Sequence, residues 1–256
     1  MILNRLGKKS KIADKVQAYF PPHKTYIEPF FGAGGMYFNK PKAQYNILND
    51  LDSDVSNLFW CVINRKDELA EAFDLVPFHV DLLDHWKQNQ EADPIKKALR
   101  FLFLSNFTYM GKMGTLRFPS QLNPKDVFFN NLDFCKRHLE GVLFNNSDSV
   151  RFLKSISFIE QKDIEKSFVY CDPPYLGTGN NYSSGFSEKD CVELLDCLQS
   201  IKGLKFAYSE FDNPFILAQA EQRGLFVNNI GERLNMKNRR TEILITNYKQ
   251  SQLVMF

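Results

Sequence analysis

Long apolar runs are missing from this chain of 256 residues. No stretch approaches the ~18 consecutive apolar residues that a membrane-spanning helix needs. The opening Met1-Ile2-Leu3-Asn4-Arg5 leads into lysines rather than the apolar core of a secretory signal, so a cytoplasmic protein is expected. Cysteine is sparse: Cys61, Cys135, Cys171, Cys191 and Cys197 are odd in number and never in Cys-x-x-Cys spacing. That pattern predicts reduced thiols rather than a disulfide framework. The four histidines, His23, His79, His85 and His138, fall into no zinc-type spacing, so no metal is expected. Internal repeats and low-complexity tracts are also missing. With 44% hydrophobic residues the chain is not globally disordered, and its length suits one α/β domain carrying an insertion.

The net charge of +2 hides an uneven distribution. Residues 1–24 carry six Lys/Arg against one acid, residues 86–140 nine against five, and residues 232–249 five against two. The rest of the chain is therefore acidic. Three basic segments on an acidic body fit a polyanionic partner if they converge in space, and ordinary solvated faces if they do not.

An α/β pattern can be read along the chain. Lys8 to Phe20 has the periodicity of a basic amphipathic helix stopped by Pro21-Pro22. Strands are predicted at Thr25–Glu28 and Tyr45–Asn49, a short helix from Gly35 to Asn39, and a helix capped by Ser53 running to Ile63. From about Arg65 to Glu140 the pattern becomes helical and aromatic, with a long piece near Pro94–Phe107, so this stretch interrupts the α/β alternation. The expected division is a catalytic domain from 1–60 and 141–256 with an insert at 61–140. Alternation then resumes. Strands are expected at 141–144, Ser167–Cys171 and Leu204–Tyr208. Helices follow at Ser187–Ser200, with Ser187 and Asp190 as a capping pair, and at Pro214–Arg223, ended by Gly224. Leu225–Ile230 and Glu242–Asn247 read as a closing antiparallel pair, and Arg233, Lys237, Arg239 and Arg240 as a basic loop between them.

Two constellations carry chemistry. Gly32, Gly34 and Gly35 follow the first strand, where open α/β sheets bind ligands. A dinucleotide fingerprint needs a third glycine where Tyr37 stands, and no Gly-Lys-Ser/Thr of a phosphate loop follows. Asp50 ends the second strand, where an acid can accept hydrogen bonds from ribose hydroxyls. A glycine loop and a ribose acid without a phosphate cradle describe an adenosine-type ligand such as S-adenosylmethionine. The second constellation is Asp172-Pro173-Pro174-Tyr175, after an apolar strand. The exocyclic amine of adenine is a poor nucleophile because its lone pair is delocalised into the ring. Asp172 and the backbone carbonyl of Pro173 can accept its two hydrogens and localise that pair. Pro173 and Pro174 fix φ and hold the carbonyl at low entropic cost. Tyr175 offers a face on which an extruded base can stack, worth roughly 1–3 kcal/mol. Positioning and preorganised acceptors then suffice, with no covalent intermediate. Cys171 reads as a buried strand residue.

Together, Glu28-Pro29-Phe30-Phe31-Gly32-Ala33-Gly34-Gly35, Asn49-Asp50 and Asp172–Tyr175 resemble, in residues and in order, the Dam-like class of adenine-N6 DNA methyltransferases. The resemblance extends over nearly the whole chain. Leu104–Gly111 is similar to that family's recognition-insert segment and Arg240–Tyr248 to its closing strand. It implies a Rossmann-like α/β fold with a mainly helical target-recognition insert, duplex DNA as partner, base flipping and a monomeric enzyme. The product would be S-adenosylhomocysteine. It also implies cofactor contacts at Arg5, Lys9, Glu28, Phe30, Gly32, Gly34, Asp50 and Asp172, and DNA contacts at Tyr109, Lys112 and Arg117, with Phe107 a further candidate. Lys9 falls on the family's lysine, whereas Arg5 stands where an aromatic is common and Lys8 where a second glycine is frequent. Phe101, Phe103 and Phe107 lie on helical spacing, which equally suits core. RNA adenine, the cytosine N4 amine, and a non-catalytic nucleic-acid-binding module of the same fold are the alternatives. Restriction-modification, orphan and phage settings all fit.

Overall fold

The computed structural model describes residues 2–3, 9, 12–108, 123–177, 185–235 and 238–250. Seven strands form one sheet: β1 (Thr25–Glu28), β2 (Tyr45–Asn49), β3 (Leu143–Asn145), β4 (Ser167–Cys171), β5 (Lys205–Phe211), β6 (Phe226–Asn235) and β7 (Asn238–Thr246). Their order is β3-β2-β1-β4-β5-β7-β6. All neighbouring pairs are parallel except those made by β7, which runs antiparallel to both β5 and β6. The chain fills one side of β1 with β2 and β3, then crosses to the other side with β4. The boundary between β1 and β4 is thus the topological switch point, where such sheets open a crevice beyond the strand ends.

Strand alternation divides the interior into two cores. Tyr26, Phe168, Tyr170, Ala207 and Leu244 point to one face. Their sequence neighbours Ile27, Val169, Cys171, Phe206, Tyr208, Ile243 and Ile245 point to the other. Helices α7 (Ser149–Ser155), α9 (Glu188–Ser200) and α10 (Pro214–Gln222) cover the second face through Phe152, Leu194, Leu198 and Ile216. A five-residue helix, α8 (Gln161–Glu165), precedes β4. The first face is covered by α1 (Ala13–Gln17), α2 (Ser53–Asn64) and the four helices α3 (Lys66–Leu75), α4 (Val80–Gln88), α5 (Pro94–Phe107) and α6 (Pro124–Leu139). These four lie between β2 and β3 in the chain and share one continuous core with the sheet.

Several local expectations are corrected. Helix α2 is capped not by Ser53 but by Asp52, whose carboxylate accepts the Asp54 N–H at 2.9 Å. The first helix stops at Gln17, short of Phe20. The basic segment around Arg233 and Arg240 is not a loop: these residues pair across β6 and β7, and Lys237 lies outside the described residues. Phe101, Phe103 and Phe107 are all buried, and Phe107 packs against Phe73, Phe78 and Phe103. It is core and has no surface to offer DNA. Among the described residues no helix is long and apolar enough to cross a membrane.

Candidate functional site

The loop that leaves β1 is built on an aromatic floor. Phe31 lies beneath it, edge-on to Phe59 at 4.9 Å and to Phe144 at 5.2 Å between ring centroids. Gly32 and Gly34 take φ of 55° and 72°, the left-handed region that glycine enters without penalty. At Gly34 a side chain has no room: a Cβ would lie 2.7 Å from the Phe31 ring and closer still to Phe38. Gly34 therefore serves packing and does not line the cleft. Gly32 and Gly35 do.

Asn49 and Asp50, at the end of β2, lock this loop in place. The Asn49 side-chain amide donates to the Pro29 carbonyl at 3.0 Å and to the Ser147 carbonyl at 2.9 Å, and its oxygen accepts the Ser147 N–H at 3.1 Å. One buried asparagine thus joins the loops after β1, β2 and β3. Asp50 accepts the Gly32 N–H at 2.6 Å on one oxygen and the Asp52 N–H at 2.8 Å on the other. Both oxygens of the Asp50 side chain are thus oriented by the backbone around them.

Beyond the ends of β1 and β4 lies a cleft of about 270 Å³. Six expected site residues line it together: Lys9, Glu28, Phe30, Gly32, Asp50 and Asp172. Pro174 also lines it, whereas Pro173 and Tyr175 are buried behind. Arg5, Tyr109, Lys112 and Arg117 lie outside the described residues. The sequence reading missed Ser147, Asp148 and Val150 after β3, and Phe186 before α9, which pack the cleft's other walls. Phe186 meets Phe30 edge-on at 6.0 Å.

Behind Asp172 stands a buried charged cluster. Lys9 Nζ is 2.9 Å from Asp172 Oδ1 and 2.9 Å from Glu242 Oε1. The Tyr175 hydroxyl accepts from Lys9 and donates to Glu242, and its ring packs edge-on against Phe211. Tyr175 is only 7% exposed, so its ring presents little face to the cleft. Further buried acids surround the cluster. Glu28 takes a hydrogen bond from Tyr26 at 2.9 Å, and burial pushes its carboxyl well above the usual range. Glu210, on β5, is pushed up to about 7, again chiefly by burial. Glu242 and Glu210 were also missed, although both leave a trace in the sequence: each is an acid within a stretch of strand residues buried on both faces.

A doubly wound sheet with a reversed β7, a glycine-turn loop at its switch point and Asp-Pro-Pro-Tyr on the adjoining strand defines a Rossmann-like methyltransferase fold. The chain belongs to the D12 class N6 adenine-specific DNA methyltransferase family, whose family model matches residues 6–245. It is 26% identical over 175 residues to a DNA adenine methylase of Escherichia coli, covering 66% of this chain and 62% of that one. It is 24% identical to the Type II methyltransferase M1.LlaDCHI of Lactococcus lactis subsp. cremoris, over 94% of this chain and 93% of that one. It is 23% identical to the Modification methylase StsI of Streptococcus sanguinis, over 96% of this chain and 42% of that one.

Proposed function

We propose that this chain transfers a methyl group from S-adenosylmethionine to the N6 amine of adenine in a short duplex DNA sequence. The observation that carries this reading is convergence: the glycine turn after β1 and Asp172 after β4, far apart in sequence, face one cleft at the switch point. The cleft also fits the cofactor class. It has open backbone at Gly32, an acid at Asp50, aromatic walls at Phe30 and Phe186, and no pyrophosphate fingerprint in its loop. Bound there, S-adenosylmethionine supplies the methyl group already activated as a sulfonium.

The protein's own part is to hold the amine. Asp172 accepts one N6 hydrogen and the Pro173 carbonyl the other, which draws the nitrogen lone pair out of ring conjugation as attack begins. Lys9 grips one Asp172 oxygen and fixes the carboxylate's orientation. After transfer the surplus N6 proton leaves along the Asp172 hydrogen bond. The adenine reaches the cleft by leaving its stack, at a cost of a few kcal/mol. We assign the offsetting contacts to Tyr109, Lys112 and Arg117 in the helical insert, with the basic β6–β7 arm alongside the duplex. The buried Tyr175 belongs in this scheme to the support of Lys9 more than to the stacking surface expected from sequence.

The test is transfer of tritium from labelled cofactor to duplex DNA, RNA or neither, repeated with Asp172→Ala. The wild type labels duplex DNA on adenine. Asp172→Ala loses about 10³-fold in rate and still binds DNA. Label in RNA alone, or wild-type turnover by Asp172→Ala, refutes the reading.

A further inference from the structure

Glu210 is a buried acid to which this scheme gives no role. Glu210 lies near the carboxyl end of β5, next to β4 in the sheet, and is fully buried. Its side chain reaches back to the loop that leaves β4. Oε2 accepts the N–H of Leu176 at 3.1 Å, and Oε1 accepts the N–H of Phe211 at 2.8 Å. Leu176 is the residue directly after Asp172-Pro173-Pro174-Tyr175. The motif is thus held along its length, with the Tyr175 hydroxyl bonded to Lys9 and Glu242. Lys9 grips its first residue, and Glu210 ties down the backbone at its exit.

Resting on the function proposed above, we propose that Glu210 is a positioning residue for methyl transfer, fixing the Asp172–Leu176 loop through the Leu176 N–H and thereby setting where the Asp172 carboxylate stands. Only the ionised carboxylate does this fully, because its two oxygens accept two backbone N–H groups at once. Protonation turns one oxygen into a donor that faces an N–H, and the loop loses a tether. Burial and the nearby Asp172 raise the Glu210 carboxyl, while the two backbone N–H groups and Lys9 oppose them, leaving it at about 7. Tyr208 on its own strand and Cys191 on α9 also face it, and burial raises both above the neutral range, so they stay uncharged there. Glu242 stands on β7 opposite Phe211.

The experiment measures single-turnover methylation of duplex DNA by wild type and Glu210→Gln from about pH 5.5 to about pH 8.5, on either side of the Glu210 value. Cofactor affinity is measured by equilibrium titration alongside. The wild-type rate is expected to rise with pH about a midpoint near 7. Glu210→Gln, whose amide offers one acceptor and one donor, should lack that step and run roughly 10–100-fold slower at the alkaline end. Its cofactor affinity should stay within about threefold of wild type, since Glu210 does not line the cleft. A flat wild-type profile, or a Glu210→Gln enzyme that keeps both the rate and the step, overturns the proposal. A wild type inactive on DNA at every pH overturns the proposed function instead. Should Glu210→Gln fail to fold, the Leu176 amide resonance of labelled wild type decides. It should shift with a midpoint near 7, and constancy across the range overturns the assignment.

Discussion

Gly34 and Gly32 sit two residues apart in one loop, both at positive φ, and their alanine variants should fail in different ways. At Gly34 (φ 72°) a Cβ would penetrate the Phe38 ring and crowd Phe31. The left-handed backbone costs an alanine about 1–2 kcal/mol. Displacing packed rings costs about 1–3 kcal/mol more, for a total of roughly 2–5 kcal/mol. In a chain of this size each kcal/mol lowers the melting temperature by about 2–4 °C, so Gly34→Ala should melt roughly 4–20 °C below wild type. At Gly32 (φ 55°) a Cβ meets nothing within 4 Å, so only the backbone penalty applies, about 1–2 kcal/mol. Gly32, unlike Gly34, lines the cleft, and its N–H is bonded to Asp50. Gly32→Ala should therefore show its main loss, roughly tenfold, in cofactor affinity. Differential scanning fluorimetry on both variants, with equilibrium titration of S-adenosylmethionine, separates the two effects. If Gly34→Ala melts within about 2 °C of wild type, or Gly32→Ala is the less stable of the two, the division of labour read from the loop is wrong.

Two further outcomes follow from the buried charges. Lys9→Met removes the cation between Asp172 and Glu242, and breaking such a buried pair costs about 3–5 kcal/mol. Adding Glu242→Gln should recover part of that loss in urea melts, and a double variant less stable than Lys9→Met would show the pairs to be uncoupled. Glu210 also contributes a pH dependence to stability. Its folded value, about 7, lies above its ordinary 4.5, so the native state binds more protons between those limits and stability falls as pH rises through them. The full effect is about 3 kcal/mol. The stability of wild type relative to Glu210→Gln should therefore fall from about pH 4.5 to about pH 7 and stay level above; a relative stability independent of pH would contradict the burial assigned to this carboxyl.

Much of the scaffold could be read from the chain because local and global signals agree. β1, β2 and β4 are short apolar runs ending in Glu28, Asn49 and Cys171, each followed at once by loop residues. The capping box of Ser187 and Asp190 marks α9 in both directions. The β6–β7 arm was hidden because Glu232, Arg233, Arg239 and Arg240 show no apolar alternation. It forms because β7 docks on β5, and that support is tertiary. The cap of α2 is ambiguous in sequence because Asp52 and Ser53 are both good caps, and only backbone geometry chooses between them. At the site, Asp172 and the glycine turn were legible as motifs. The partnership of Lys9 with Glu242 was not, since it joins the two ends of the chain through contacts that no spacing encodes.

The strand order explains why acids gather at the end of the sheet where this cleft opens. β1, β4, β5 and β7 are consecutive neighbours in the sheet, and each brings a carboxylate to the same end: Glu28, Asp172, Glu210 and Glu242. Because β7 is antiparallel, Glu242 comes from its first half and still falls level with Phe211 at the end of β5. The result is a row of acids across the switch point, all buried except the partly exposed Asp172, with Lys9 seated among them. Such a row is costly to fold, as the raised Glu28 and Glu210 carboxyls show. That cost is reasonable where, as proposed, the ligand is cationic and its positive charge passes to the substrate amine, because an Asp172 carboxylate already held in place by Lys9 meets that charge without reorganising.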